Sequence, residues 1–348
     1  MPTQQVRPQT ALTVIREAVR FQFAPRITHA ILHVTNICNM RCQHCFVNFE
    51  EKPNDLTLEE FRTLSRDLND FIWLDIGGGE PSLRKDLPEV LSLFRSQELS
   101  IPTNGWFPDR VVQMASSVGE RRPGRVIITV SLDGFESTHD EMRQAGSFKR
   151  ALESIRRLRE VSTIRVKLNT VVCQRNADEV LDFMRWVRDN LGVDYQGLLL
   201  LRGDPINSLY RLPSPAKLAA IGEGMRPIHE SYQFGRKGLF ARVLLNYQTI
   251  KWDAQMRTLA EKTQVIPCLG GQAHLVVYAN GDVAPCEILP SVGNIRRQPI
   301  KEILASRAMT DAVAGIKRKN CHCTHDCNMQ ENILFNPRQV PALLSPRA

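Results

Sequence analysis

Between residue 30 and about residue 201, short runs of β-branched and apolar residues alternate with longer segments whose apolar positions recur at helical spacing. The runs "AILHVT" (30–35), "FIWLDI" (71–76), "LSIPT" (99–103), "RVIITVSL" (125–132), "IRVKLNTVV" (164–172) and "YQGLLLL" (195–201) read as strands. Between them, "LTLEEFRTLSRDL", "LPEVLSLFRSQ", "PDRVVQMASSV", "SFKRALESIRRLREV" and "ADEVLDFMRWVRDNL" read as helices. Strand–helix units in series predict a parallel sheet, because parallel neighbours need a crossover of about that length. Periodicity alone leaves open whether the sheet is doubly wound or curled toward a barrel. After Leu201 a polar, proline-containing connection leads to helical material up to about residue 234 and then the apolar run "FARVLLNYQTIKW". Further on, "AHLVVYANGDVAPC" reads as a hairpin turning at Asn280-Gly281 and delivering Cys286 just after its second strand. The closing stretch "RQVPALLSPRA" reads as a loosely held tail.

The 348 residues suffice for one large domain and a smaller companion. Apolar residues at 43% and charged residues at 24% are ordinary globular values, and no run of about 20 apolar residues could span a bilayer. The N-terminus lacks the charged, apolar, small-residue order of a signal peptide, so the cytoplasm is the expected compartment. Cysteines there are thiols or metal ligands more often than disulfides. A net charge of +8 reads as a solvated basic face and leaves an anionic substrate open. Nucleic acid is not an expected partner: Lys and Arg are scattered, and the densest cluster, "IKRKN" (316–320), has no interleaved aromatics.

Cysteines stand at 38, 42, 45, 173, 268, 286, 321, 323 and 327: an early trio, a late quintet and one apart. Cys38, Cys42 and Cys45 are spaced C-x3-C-x2-C directly after the first strand. A structural zinc would need a fourth ligand, which His44 or His33 could supply. An iron-sulfur cubane gives another reason for three thiols, since its fourth iron can stay open to a ligand that is not protein. The trio alone leaves both open. Further fragments mark later strand ends: "GGGEP" (Gly77 to Pro81), "PTNG" (Pro102 to Gly105), "SLDG" (Ser131 to Gly134) followed by "HDEMR", and Asn169.

Taken in order, the trio and these fragments resemble the radical S-adenosylmethionine (radical SAM) superfamily over roughly residues 30 to 202. The resemblance implies an α/β fold, a partial (β/α)6 TIM-like barrel whose strand C-terminal ends gather the ligands. It implies a 4Fe-4S cluster on Cys38, Cys42 and Cys45 with SAM on the open iron. Gly78, Gly79 and Glu80 fall in the segment that receives the methionine amino group, Asn104 at a frequent strand end, and Ser131 and Asp133 in the ribose region. Arg143 is placed for the methionine carboxylate and Asn169 for a further SAM contact. His44 replaces the family's usual aromatic residue beside the adenine. The implied reaction is reductive cleavage of SAM to a 5′-deoxyadenosyl radical that abstracts substrate hydrogen, with a reductant such as flavodoxin or ferredoxin.

In the late quintet, Cys268 and Cys286 with Gly281 form C-x12-G-x4-C, followed by Cys321, Cys323 and Cys327 as C-x-C-x3-C. This resembles the SPASM and twitch extensions of the same superfamily. Five cysteines fit the shorter, twitch-type arrangement with one auxiliary 4Fe-4S cluster. Cys268, Cys286, Cys323 and Cys327 are the expected ligands and Cys321 the fifth candidate; zinc, helped by His322 and His325, is the rival. The expected division is an N-terminal segment (1–25), the barrel (26–225), a connecting region (226–265), the cluster-binding hairpin and helices (266–336) and a tail (337–348). Cys173 reads as a small buried hydrophobe, with a substrate contact as the alternative. No acid or base stands out; Arg202 and Asp204 should face the barrel mouth. A closed auxiliary cluster favours electron relay, and hence net oxidation or a radical rearrangement with electron recycling. A small-molecule substrate, or a peptide recruited by a separate protein, is expected, because a cysteine loop beginning at residue 38 leaves no room for the winged helix with which peptide-modifying relatives grip a leader. Peptide maturation by the same chemistry and a non-catalytic electron carrier or sensor are the alternatives.

Overall fold

The protein is described by a computed structural model over residues 9–47, 54–232 and 238–346; residues 1–8 of the N-terminal segment and 347–348 of the tail lie outside it. Six strands run parallel in chain order: β1 (His29–Thr35), β2 (Phe71–Gly78), β3 (Ser96–Thr103), β4 (Val126–Ser131), β5 (Ile164–Val172) and β6 (Tyr195–Leu200). β6 is an edge of the sheet, so the barrel is unclosed. The other side of β1 pairs in parallel with β7 (His274–Val277), which turns at Gly281 into antiparallel β8 (Asp282–Ala284) and then β9 (Gly293–Asn294). The C-terminal hairpin is therefore built onto the barrel's own edge.

The helices are α1 (Gln9–Phe21), α2 (Leu58–Asp67), α3 (Leu87–Ser92), α4 (Pro108–Arg121), α5 (Glu136–Met142), α6 (Ser147–Leu158), α7 (Val180–Asn190), α8 (Pro215–Ser231), α9 (Leu239–Glu261), α10 (Ile300–Ala305), α11 (Arg307–Lys317), α12 (Asp326–Leu334) and α13 (Val340–Leu344). Those between the barrel strands cover one face of the sheet. Along β5, Ile164, Val166 and Leu168 are buried and join Phe183 and Val187 of α7 in the main core. The alternate residues Arg165, Lys167, Asn169 and Val171 are only half-buried, as are Asp75 of β2 and Glu98 and Ser100 of β3. Side chains alternate across a strand. The face away from the helices is thus a polar lumen rather than a packed core.

Three segments differ from the sequence reading. The stretch 87–97 does not stay helical: Arg122 donates to the carbonyl of Leu91 (2.7 Å) and Asn69 to that of Leu93 (3.2 Å), capping α3 early and freeing Ser96 to start β3. The run "FARVLLNYQTIKW" lies within α9, which packs Trp252 against residues of β6 and α8 and Tyr247 against Met329 and Ile333 of α12. The tail is docked rather than loose. Asn246 on α9 donates to the carbonyls of Ala342, Leu343 and Ser345 (3.2, 3.0 and 2.9 Å), and Leu343 is buried.

Candidate cofactor sites

The early cysteine loop leaves β1 through a fixed exit. The Thr35 hydroxyl donates to Asp55 (2.5 Å) and accepts from the Ile37 amide (3.1 Å), while Asp55 also accepts from the Asn36 amide (2.8 Å). The end of β2 lies directly against it: the Gly79 amide donates to the Thr35 carbonyl (2.8 Å) and the Glu80 amide to that of Ile37 (2.9 Å). A Cβ at Gly78, whose φ is +110°, would stand 2.2 Å from the Thr35 oxygen, and one at Gly79 would stand 2.1 Å from that of Ile37. Close approach of the cysteine loop is therefore what requires these glycines.

The Glu80 carboxylate is buried and accepts from the Ser82 amide and hydroxyl, the Thr103 hydroxyl and the Asn104 amide (3.1, 2.5, 2.8 and 2.7 Å). Burial pushes its pKa up, against these donors. Glu80 thus ties the ends of β2 and β3 together, and Asn104 continues the tie by donating to Asn39 of the cysteine loop (2.9 Å).

Asp133 has no exposed surface. Its carboxylate accepts from Arg143 Nε (2.6 Å) and the Val171 amide (2.9 Å), and His44 Nε2 lies 3.5 Å away. Burial alone would raise its pKa, but Arg143, then His44, outweigh it and hold the carboxyl at about 2. The Asp133 carboxylate thus orients Arg143 and lies against His44. Arg143 reaches Cys42, with Nη1 3.8 Å from the sulfur. His44 is buried, and burial lowers it to about 4 despite Asp133. Ser131, at the end of β4, faces Asn169 of β5 in register, both half-buried and turned to the lumen side.

Among the trio, Cys42 is buried and Cys38 and Cys45 are partly exposed. The Met40 amide lies 3.4 Å from the Cys38 sulfur. Burial raises all of these thiols, Cys38 to about 11, so they hold their protons until a metal displaces them. The two histidines that could complete a zinc site are engaged elsewhere: His44 against Asp133, and His33 on Glu287 (3.0 Å). Three thiols with an amide donor and a nearby cation, and no fourth side-chain ligand in place among the described residues, suit a cluster with one open corner.

At the second site, Cys268, Cys286, Cys321 and Cys323 line one pocket walled by Ile266, Ile316 and Met329. Gln264 donates to the Cys321 sulfur and Asn328 to that of Cys323, each at 3.8 Å. Backbone amides of Gly270, and of Ile288 and Leu289, serve Cys268 and Cys286, whose thiols burial pushes to about 12 and 11. The structure thus brings Cys321 into the set. Cys327 does not line this pocket; it rides in the first turn of α12, where its charged neighbours are Asp75, Arg202 and Glu287. His322 lines the pocket, whereas His325 is held by Glu287 (2.5 Å). Cys268, Cys286, Cys321 and Cys323 thus share one pocket with amide donors at hand.

Cys173 is fully buried beside Met142 and Leu201. Arg202 sits over the Phe46 ring (4.3 Å) and pairs with Glu287 (3.2 Å), which links the segment after β6 to both cysteine loops; Asp204 is exposed. Missed from sequence was a buried ionic lattice around the lumen: His29 bonds Glu331 and Asp75 (the latter at 3.1 Å), Lys251 pairs with Asp326 (2.7 Å) and Arg165 with Glu98 (2.6 Å). The available signal was the alternating "RVKLN" of β5, which sets a cation or amide at every second position of a strand lying between helices.

An unclosed parallel barrel carries a three-thiol loop at its rim and a four-thiol pocket on the sheet extension. Comparison with known proteins gives the family. The Radical SAM superfamily model matches residues 32–187, and the SPASM model, an iron-sulfur cluster-binding domain, matches residues 268–328. The chain belongs to the radical SAM superfamily and carries a C-terminal SPASM extension, with the 4Fe-4S clusters and SAM that those domains bind. It is 34% identical over 157 residues to the Fe-coproporphyrin III synthase of Methanosarcina barkeri, an alignment spanning 43% of this chain and only 38% of that one. It is 28% identical over 298 residues to the AdoMet-dependent heme synthase of the same organism, covering 80% and 82% of the two chains. The fold is shared with Streptococcus suis SuiB bound to the precursor peptide SuiA (TM-score 0.63, 14% identity, 88% of this chain and 70% of that one). No helix among the described residues is long and apolar enough to cross a membrane.

Proposed function

We propose that the protein is an oxidoreductase or tailoring enzyme that acts on a small molecule held in the barrel lumen, in the cytoplasm, with a reductant such as flavodoxin or ferredoxin supplying the first electron. Cys38, Cys42 and Cys45 would hold a 4Fe-4S cluster that, with SAM, would supply the hydrogen-abstracting radical chemistry of this superfamily. The chain's own residues position the reactants. Arg143, fixed by Asp133 beside Cys42, is placed to pair with the methionine carboxylate. Ser131 and Asn169 offer polar contacts at the rim, and the Gly78–Gly79–Glu80 segment holds the loop rigid.

The observation that carries the reading is the polar, half-exposed lumen lying beneath the three-thiol loop and bordered by Glu287, the neighbour of Cys286. Substrate there would stand between the two cysteine sites. The chemistry that Cys268, Cys286, Cys321 and Cys323 would hold is electron acceptance, which favours net oxidation over rearrangement. Peptide maturation is the second reading; the SuiB fold supports it, whereas the two Methanosarcina relatives support a small molecule. The test is anaerobic incubation of reconstituted protein with SAM and dithionite. 5′-Deoxyadenosine is expected from the wild type and not from a Cys38→Ala/Cys42→Ala/Cys45→Ala control, and equal yields would overturn the reading.

A further inference from the structure

We propose that Lys167 anchors a carboxylate of the substrate inside the lumen, one step below the rim where SAM binds; this rests on the radical SAM reading above. The argument begins with strand register. Ser131 at the end of β4 is paired with Asn169 of β5, and Thr129 with Lys167 two residues earlier. Two residues along a strand place Lys167 about 7 Å deeper than Asn169 on the same face. A molecule that offers a C–H bond at the rim must extend over that depth.

The second step is charge. Each carboxylate around the lumen has a cation in place: Glu98 has Arg165, Asp75 has His29, Asp326 has Lys251, and Glu287 has Arg202. Among the described residues Lys167 makes no hydrogen bond or ion pair. Lys167 is half-buried on the lumen wall, and burial lowers its pKa, with Glu98 opposing and Arg165 adding to the fall. A ligand anion entering the lumen would meet a cation that no protein carboxylate already neutralises.

The third step is what surrounds it. Arg165, one position deeper, is neutralised by Glu98, so Lys167 is the cation of β5 left to meet a ligand. Lys251 of α9 is already bound to Asp326. The geometry therefore selects an anionic group of modest size, a carboxylate on a small molecule, over a neutral one. The overall charge of +8 would draw such a molecule toward the barrel.

The probe is Fe-coproporphyrin III, a propionate-rich tetrapyrrole, set against its methyl ester. Both are titrated anaerobically into holoenzyme with SAM present, for the wild type, Lys167→Met and Lys167→Arg. A charge-assisted hydrogen bond leads to a loss of about tenfold or more on removal. The acid should bind the wild type at least tenfold tighter than the ester. Lys167→Met should remove that preference, and Lys167→Arg should restore part of it, which a folding defect would not. Equal binding of acid and ester to the wild type, no binding of the acid, or an unchanged preference in Lys167→Met overturns the anchor. 5′-Deoxyadenosine formed by the wild type without added substrate separates the two failures. If it forms while the binding result is negative, only the anchor falls; if it does not form, the radical SAM reading falls.

Discussion

The two cysteine sites solve opposite problems with the same side chain. At the barrel rim, three thiols sit on a loop clamped by Gly78, Gly79 and Asp55, and beside them stands a cation, Arg143, held ready by a buried carboxylate. On the sheet extension, four thiols line one pocket with apolar walls, and their hydrogen-bond donors are amides of the backbone, Gln264 and Asn328. Charge and an open corner prepare the first site to receive a zwitterionic ligand. Neutral amides and a full ligand set let the second hold a cluster without exchanging anything.

The sharpest break between them comes from cysteine removal. Cys42→Ala should abolish 5′-deoxyadenosine formation outright, measured by chromatography of anaerobic reactions, whereas Cys286→Ala should leave substrate-free SAM cleavage measurable and stop substrate turnover. A nearly as large effect separates the ligands of the second site. Cys321→Ala should lower iron by about four atoms per chain, the content of one cubane, and Cys327→Ala should not. The reverse pattern in iron and sulfide assays would return Cys327 to the cluster.

Smaller effects sharpen the contrast in surroundings. Arg143→Met strands the Asp133 carboxylate, and losing one partner of a buried ion pair costs about 3–5 kcal/mol. Denaturant midpoints should fall accordingly, and adding Asp133→Asn should recover part of the loss. Gly79→Ala forces a methyl against the Ile37 carbonyl; overpacking of that kind costs about 1–3 kcal/mol and should lower iron retention at the first site alone. The mildest test concerns the lattice that fixes α12 to the barrel. Burial opposes a charge on His29, but Glu331 and Asp75 outweigh it and raise its pKa from 6.5 to about 10. Stability from this group is therefore fully present below about pH 6.5 and lost as pH rises through about 10. Unfolding midpoints should decline over that window, and His29→Gln should flatten the decline.

What could be seen in the sequence was whatever short-range pattern controls. The six parallel strands, the Asn280-Gly281 hairpin and the rim loop all follow from periodicity, turn chemistry and spacing. Contacts between distant residues were not visible. Asn246 with the tail, and His29 with Glu331, join positions far apart in the chain that no local pattern links. The separate surroundings of Cys321 and Cys327 were hidden for a related reason. C-x-C-x3-C says nothing of where a helix starts, and α12 starts at Asp326, carrying Cys327 round to the lumen while Cys321 and Cys323 stay on the extended segment before it. Asp133 was recognised as important, yet its partners could only be found once β4, α5 and the cysteine loop were brought together.

Electron paramagnetic resonance of the reduced holoenzyme, with and without SAM, tests the distinction between the two sites most directly. One cluster signal should shift on adding SAM and be missing in Cys42→Ala; a second should ignore SAM and be missing in Cys286→Ala. A SAM-induced shift in both signals, or in neither, would contradict the assignment of an open site at the rim and a closed one on the sheet extension.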